Sequence, residues 1–293
     1  LILAAGLATA GAGGAQPAVP VWLEASGPTL TLATDADPER AVELVTDLER
    51  FRAVFARLAP EIDLTSPVPT RLVAFRDAAS FAPYKGVREG GGVRIQGYFT
   101  AGADGSFLVM NADPAETGAL GVVVHESVHE LVRHNFPWAP LWLHEGLAEY
   151  YSTFEAASGR AEIGRPPARH LAWLERGNEL DLAAVLGTSR DSFRHDDSAG
   201  VGRFYAVSWL LTHYLLSGEP ERLQKTAHYL ALLAEGEGQT AAFEDAFELP
   251  VRRLEEELAA YAAAGRYPSI SVPLTRLPSG RDVSVRRLPP ADV

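Results

Sequence analysis

The segment VVVHESVHELV, residues 122–132, carries the pattern H-E-x-x-H within an apolar run. Because valine and leucine surround both histidines, this segment predicts a buried helix. His125 and His129 are four residues apart, so on a helix they share one face and both imidazoles can reach one metal ion. Glu126 follows the first histidine directly, which is the position of a general base beside a catalytic metal. The segment therefore predicts a metal site on a buried helix.

A further ligand is expected on the next helix. A catalytic zinc ion takes a third protein ligand and keeps one position open. The metzincin spacing would need glycine and histidine where the chain has Val132 and Asn135, which excludes that class. Residues 141–154, LWLHEGLAEYYSTF, predict a second helix on which Glu145 and Glu149 share a face. One of these carboxylates can bind the metal while the other accepts the N–H of a ligating histidine.

The two motifs together resemble those of the gluzincins, the superfamily that includes thermolysin and the zinc aminopeptidases. The third ligand of that superfamily is the glutamate of an N-E-G or N-E-A motif, and this chain has His144-Glu145-Gly146 in that place. The resemblance implies a zinc metallopeptidase in which Glu145 is the third ligand and Glu149 supports His125. The chain departs from the pattern at His144 and in a somewhat shorter spacing from His129 than in thermolysin.

The order of segments over residues 21–266 is also similar to the peptidase-MA-like domain of bacterial secreted proteins. In the aminopeptidase branch, a tyrosine on a following helix stabilises the oxyanion, in a context similar to RFYAVSW, residues 203–209. The resemblance makes Tyr205 the candidate for this role. His195 is the alternative, because thermolysin uses a histidine from a later segment.

The predicted elements indicate an α+β protein with two lobes and the zinc site in the cleft between them. Residues 21–135 are expected to form an α/β lobe with a small twisted sheet that ends in the zinc-binding helix. Residues 136–266 are expected to form a mainly helical lobe. Residues 267–293 contain several prolines and little periodicity, which predicts an extended tail or linker.

A hairpin is expected just before the zinc helix, and its edge offers a place for an extended peptide. Two predicted strands, residues 95–100 and 106–111, flank AGADG, residues 101–105, which is a hairpin turn by composition. An extended peptide can add to such an edge by strand addition. The candidate edges are Gly97–Thr100 and Ser106–Asn111.

Composition narrows the partners of the chain. The formal net charge of −12 argues against nucleic acid or an anionic membrane surface, since both repel an acidic protein. There is no cysteine, which excludes disulfides, thiolate catalysis and cysteine-based zinc sites. Any zinc must therefore be held by nitrogen and oxygen, and the expected partner is a peptide or protein substrate. The oligomeric state stays open.

Residues 1–20 are expected to be the remnant of a signal peptide. Residues 1–7 are mostly apolar and a tract of small residues follows at 8–15, as in the core and cleavage region of such a peptide. We therefore expect export to the periplasm or the extracellular space, with no stable membrane insertion after cleavage. An uncleaved N-terminal membrane tether is the alternative.

The expected function is hydrolysis of peptide bonds through a zinc-activated water, with Glu126 as the general base. No G-x-M-E-N segment, with which zinc aminopeptidases capture a free N-terminus, is present, and this favours an endopeptidase. Two alternatives remain open: a zinc-binding interaction or scaffold module without significant peptidase activity, and a hydrolase of a non-peptide amide.

Overall fold

The computed structural model describes residues 20–65, 70–84, 97–102, 105–113, 119–176, 180–189, 198–217, 220–275 and 277–289. These residues form ten α-helices and two β-sheets, so the protein has the α+β fold that the sequence predicts. The strands are β1 Leu23–Ser26, β2 Thr31–Thr34, β3 Thr70–Phe75, β4 Gly97–Gly102, β5 Gly105–Asn111, β6 Glu155–Ala157, β7 Arg160–Ile163, β8 Ile270–Pro273 and β9 Ser284–Arg287. The helices are α1 Pro38–Leu58, α2 Ala78–Phe81, α3 Ala119–Asn135, α4 Leu141–Tyr151, α5 Ala168–Leu174, α6 Leu182–Gly187, α7 Ser198–Leu216, α8 Pro220–Ala234, α9 Gln239–Phe247 and α10 Val251–Ala264.

Six strands form the larger sheet, sheet A, in the order β4-β5-β3-β2-β1-β9. The two pairings that involve β3 are parallel, and the other pairings are antiparallel. Leu72 on β3 lies between Leu32 on β2 and Leu108 on β5. All three leucines are buried, and they join the face of the sheet that the helices cover.

Helices α1 and α3 cover that face of sheet A. Helix α1 begins at Pro38, and the side chain of Asp37 accepts a hydrogen bond from the backbone N–H of Arg40, which caps the first turn. Leu44 and Leu48 of α1 are buried in the same cluster as Val123 of α3 and the strand leucines. The zinc helix predicted from the sequence is thus fixed against the sheet by apolar packing.

The remaining helices pack mainly around α4, which contacts α3 on one side and α7 on another. Their shared core is rich in aromatic side chains, with Trp142, Tyr150 and Trp209 fully buried. A small second sheet, sheet B, has the order β6-β7-β8 and lies within this part of the chain. No helix among the described ranges has the length and apolar character needed to cross a bilayer.

Residues 267–293 differ from the extended tail or linker that the sequence predicts. Residues 270–273 form β8 and pair with β7, and residues 284–287 form β9 and pair with β1. The segment therefore completes an edge of each sheet. No local periodicity marks these strands, because each has four residues and its pairing partner lies more than 100 positions away.

Candidate metal centre

The two histidines of the H-E-x-x-H motif lie on one face of α3, as their spacing predicts. Their Nε2 atoms are 3.0 Å apart, and the ring centroids are 4.6 Å apart. The side chains are 17% exposed for His125 and 14% for His129. Val124 and Val128 beside them are buried, so the helix is held in the core while both imidazoles keep a small exposed fraction.

Glu145 on α4 completes a three-atom cluster with these histidines. Its Oε2 atom lies 3.6 Å from His125 Nε2 and 3.3 Å from His129 Nε2. In a tetrahedral zinc site with bonds of about 2.0–2.1 Å, ligand atoms are separated by about 3.3 Å. The three separations of 3.0, 3.3 and 3.6 Å surround that value, so these residues can hold one metal ion.

The chemistry of the donor set also fits a metal. Glu145 Oε2 is buried, and within the described residues no hydrogen bond reaches it. A buried carboxylate oxygen without a donor is costly, and a divalent cation would satisfy it. Burial alone would raise the pKa of Glu145, but the two neighbouring histidines outweigh burial and lower it. The carboxyl is therefore ionised, in the form that ligates zinc.

Glu149 lies one turn further along α4 and faces the other nitrogen of His125. Its Oε1 atom is 3.7 Å from His125 Nδ1, an electrostatic contact longer than a hydrogen bond. Burial would raise the pKa of Glu149, but the hydrogen bond to His170 and the charge of Arg169 outweigh it and lower the pKa to about 2. This ionised carboxylate favours a proton on Nδ1 and leaves the Nε2 lone pair for a metal.

Glu126, the predicted general base, is tied to sheet A. Burial raises the pKa of its carboxyl, and the charges of His125 and His129 oppose that effect. The backbone N–H of Phe99, on the edge strand β4, donates a hydrogen bond to Glu126. The edge of the sheet therefore contacts the carboxylate that the sequence predicts to be the general base. Phe99 was not singled out from the sequence, because a backbone donor leaves no residue signature.

Gly146, which follows Glu145 on α4, allows close packing between α4 and α7. A Cβ atom at this position would overlap Thr212 Oγ1 and would lie 2.5 Å from the carbonyl oxygen of Ser208, both on α7. Glycine therefore lets α4 and α7 approach backbone to backbone. The glycine that follows Glu145 in the motif has this packing role.

Tyr205 lies on α7, one turn before Ser208 and on the same face of the helix. It is half-buried, and its ring meets that of Phe204 edge to face at a centroid distance of 6.2 Å. The face of α7 that carries Ser208 and Thr212 is the one that contacts α4 at Gly146. The role of Tyr205 at an oxyanion stays a prediction. His195, the alternative, lies outside the described residues.

Two residues of α5 also belong to the site, although the sequence did not predict them there. His170 is buried and its Nε2 lies 3.0 Å from Glu149 Oε2, while Nη2 of Arg169 donates to both oxygens of Glu149. Neither Arg169 nor His170 belongs to the metal site predicted from the sequence. The available signal was indirect, because a buried Glu149 must have partners.

Fold and site together define an α+β protein with a His-His-Glu cluster that can hold a divalent metal. Over residues 119–233 the chain is similar to a family whose model is described as a protein of unknown function, DUF1570. The matched segment begins with α3 and includes the three residues of the cluster. No curated protein matches the chain.

Proposed function

We propose that the protein is a zinc-dependent metallopeptidase of the gluzincin type that acts as an endopeptidase. The observation that carries this proposal is the convergence of His125, His129 and Glu145, with polar atoms 3.0–3.6 Å apart and Glu126 beside them. A scaffold that only stores zinc has no need of a partly buried carboxyl group next to the ligands. Glu126 is such a group, and it favours hydrolysis over a purely structural role.

The residues divide the chemistry among them. When bound, a zinc ion supplies a Lewis acid for the scissile carbonyl and for the attacking water. Glu126 accepts a proton from that water and delivers it to the leaving amine, and the Phe99 N–H fixes the orientation of its carboxylate. Tyr205, or else His195, donates a hydrogen bond to the oxyanion that develops on the carbonyl oxygen.

The edge strand β4 is the proposed binding position for an extended peptide substrate. The sequence offered two candidate edges, and β5 (residues 105–111) is an interior strand because it pairs with both β3 and β4. In the described sheet, Gly97–Thr100 on β4 keeps a lateral edge. The N–H of Phe99 on this edge is already donated to Glu126, so a peptide added along β4 would pair with the other outward groups of the strand and would lie next to the base.

Metal content and cleavage of a mixed peptide library, measured on the same preparations, test the proposal. Wild type is expected to hold one zinc ion per chain and to cleave peptides. Glu126→Gln is expected to hold the metal and to lose cleavage by about 100-fold or more, because the proton acceptor is gone. Glu130→Gln is the matched control, since Glu130 also follows a motif histidine but accepts a hydrogen bond from Thr70 on β3.

The outcomes separate the alternatives. Wild type without stoichiometric zinc contradicts the metal site. Zinc binding without cleavage of peptides or of non-peptide amides supports the interaction module, and cleavage of the amides alone supports an amide hydrolase.

The oxyanion donor is identified by a second pair of variants. If Tyr205 donates, Tyr205→Phe lowers kcat by about 100- to 1000-fold with zinc content unchanged. His195→Gln then keeps near wild-type kcat. The reverse result assigns the role to His195.

A further inference from the structure

Helix α5 supports the metal cluster from outside, through Glu149. We propose that Arg169 and His170 are positioning residues that set the metal affinity of the site by fixing the Glu149 carboxylate behind His125. This inference rests on the metal site of the proposed function. It does not require that the protein cleaves peptides.

The hydrogen bonds of Glu149 show why α5 determines its orientation. Oε2 accepts from His170 Nε2 at 3.0 Å and from Arg169, and Oε1 accepts from the same Arg169 nitrogen. The side chain of Glu149 is 2% exposed, so water does not compete for these oxygens. The carboxylate cannot rotate without losing donors from α5, and Oε1 is the oxygen presented to His125 Nδ1.

Both donors are held in place by their surroundings. The ring of His170 stacks on Trp209 of α7, with centroids 5.9 Å apart and an interplanar angle of 30°. The chain enters α5 from β7 through Gly164, whose carbonyl oxygen lies 3.0 Å from Nε2 of the buried His213. Sheet B and α7 thus fix α5 relative to α4, and α5 fixes Glu149.

Arg169 can be substituted without disturbing the core. Its side chain is 66% exposed, so replacing it opens no cavity in the core, while the carboxylate that it binds is buried. Loss of the guanidinium frees Glu149 to turn away from His125. Groups that contact a metal ligand directly typically change metal affinity by about 10- to 100-fold when they are removed, and Arg169 acts one contact further out, through Glu149.

Zinc dissociation constants of the full chain, measured by competition with a chromophoric chelator, test the inference. Arg169→Gln is expected to weaken zinc binding by up to about 10-fold, the lower end of the effect of a direct partner, because His170 still holds Glu149. Arg165→Gln is the matched control: this arginine lies four residues earlier, is 49% exposed and pairs with Glu155 and Glu162 instead of Glu149. Its zinc affinity is expected to equal that of wild type.

A double-mutant cycle asks whether Arg169 acts through Glu149. In the Glu149→Gln background, Arg169→Gln is expected to cause no further loss of zinc affinity. For His170, glutamine keeps an N–H donor and should retain more affinity than leucine at that position. Additive losses in the cycle, or wild-type affinity in Arg169→Gln, would overturn the inference. Wild type without zinc binding would instead remove the proposed metal site itself, and the inference with it.

Discussion

Two glutamates on one face of α4 have different hydrogen-bond partners because their surroundings differ. Glu145 has its buried Oε2 directed at two imidazole nitrogens, with no hydrogen bond from the described residues. Glu149 accepts from an arginine and a histidine and has no comparable open oxygen. Residue type and helical spacing are the same at both positions, so the neighbours decide which carboxylate is left for a metal.

His213 is a buried histidine outside the metal cluster, and its partners fix its protonation state. Its Nε2 lies 3.0 Å from the carbonyl oxygen of Gly164, which can only accept, so Nε2 carries the proton. Its Nδ1 lies 2.8 Å from the hydroxyl of Tyr261 and is then the acceptor. Burial lowers the pKa of His213 below that of an exposed histidine, which keeps the ring neutral.

The stability of the protein should therefore depend on this residue as pH falls. The unfolded chain binds a proton at His213 near pH 6.5, whereas the folded chain binds it only at lower pH. The contribution of neutral His213 to the free energy of unfolding is fully present above pH 6.5. It is lost as the pH falls from there toward the pKa of His213 in the folded protein. We expect His213→Gln to show a smaller decrease in the free energy of unfolding between pH 7.5 and 5.5 than wild type. Urea titrations at each pH measure this difference.

His228→Gln is the control for this prediction. His228 is exposed on α8, so its replacement should leave the wild-type pH dependence in place. An unchanged pH dependence in His213→Gln would contradict the prediction.

The part of the site that lies on single helices could be predicted from the sequence, and the part that joins helices could not. The i, i+4 spacing alone places His125 beside His129, because helix geometry fixes which residues share a face. Arg169 and His170 reach Glu149 only through the turn that sheet B makes before α5. No spacing rule relates residues 149 and 169 across a β-hairpin. In the same way, no spacing rule relates the N–H of Phe99 to the carboxylate of Glu126.

At the scale of elements, the contact between α4 and α7 depends on one glycine. We expect Gly146→Ala to lower the free energy of unfolding by about 2–3 kcal/mol, because the new methyl group would overlap Thr212 and press on the Ser208 carbonyl. Zinc affinity should fall with it, since α4 also carries Glu145. Chemical denaturation and chelator competition measure the two effects.

Gly187→Ala is the matched control for this substitution. Gly187 ends α6, and no atom lies within 4 Å of a Cβ built there. Alanine at 187 should be neutral or stabilise the protein by up to about 1 kcal/mol. Equal effects at the two glycines would show that backbone entropy, and not the contact of α4 with α7, dominates at 146.

The elements that the sequence predicts best carry their own boundary signals. Helix α1 begins at Pro38 after a capping aspartate and ends at Leu58, two residues before Pro60. Strand β3 covers Thr70–Phe75, as its apolar pattern predicts. Strands β6 and β7 have three and four residues, and their pairing partners, not their composition, make them strands.

For the whole molecule, the C-terminal strand β9 closes sheet A against β1. The backbone N–H of Leu288 donates to Trp22 O at 2.9 Å, so these two residues form a hydrogen-bonded pair. In an antiparallel ladder, hydrogen-bonded and non-hydrogen-bonded pairs alternate. Arg287 and Leu23 are therefore a non-hydrogen-bonded pair, and Arg286 and Glu24 are the next hydrogen-bonded pair. The N–H of Arg287 then points away from β1. A proline at Arg286 would therefore remove an N–H that donates to β1, whereas a proline at Arg287 would remove an N–H that faces outward.

This alternation predicts different effects for two proline substitutions. Arg286→Pro should lower the free energy of unfolding by about 2 kcal/mol relative to Arg286→Ala, because it removes a ladder hydrogen bond to β1. The alanine variant accounts for the lost ion pair with Glu24. Arg287→Pro should be tolerated, since edge strands accept proline where the N–H faces outward. Urea denaturation of the three variants measures these differences in the free energy of unfolding. Equal losses of stability for the two proline variants would contradict the register of β9 on β1.

The pairing of β1 with β9 also sets the timing of folding during synthesis. Arg286 and Glu24 are separated by 262 positions, so a ribosome making about 5–20 residues per second needs on the order of tens of seconds between them. Throughout that interval the outer edge of β1 has no β9 to pair with. Sheet A can be completed only after translation has passed residue 287. Until then, β1 presents an open edge on which a nascent chain is prone to mispairing.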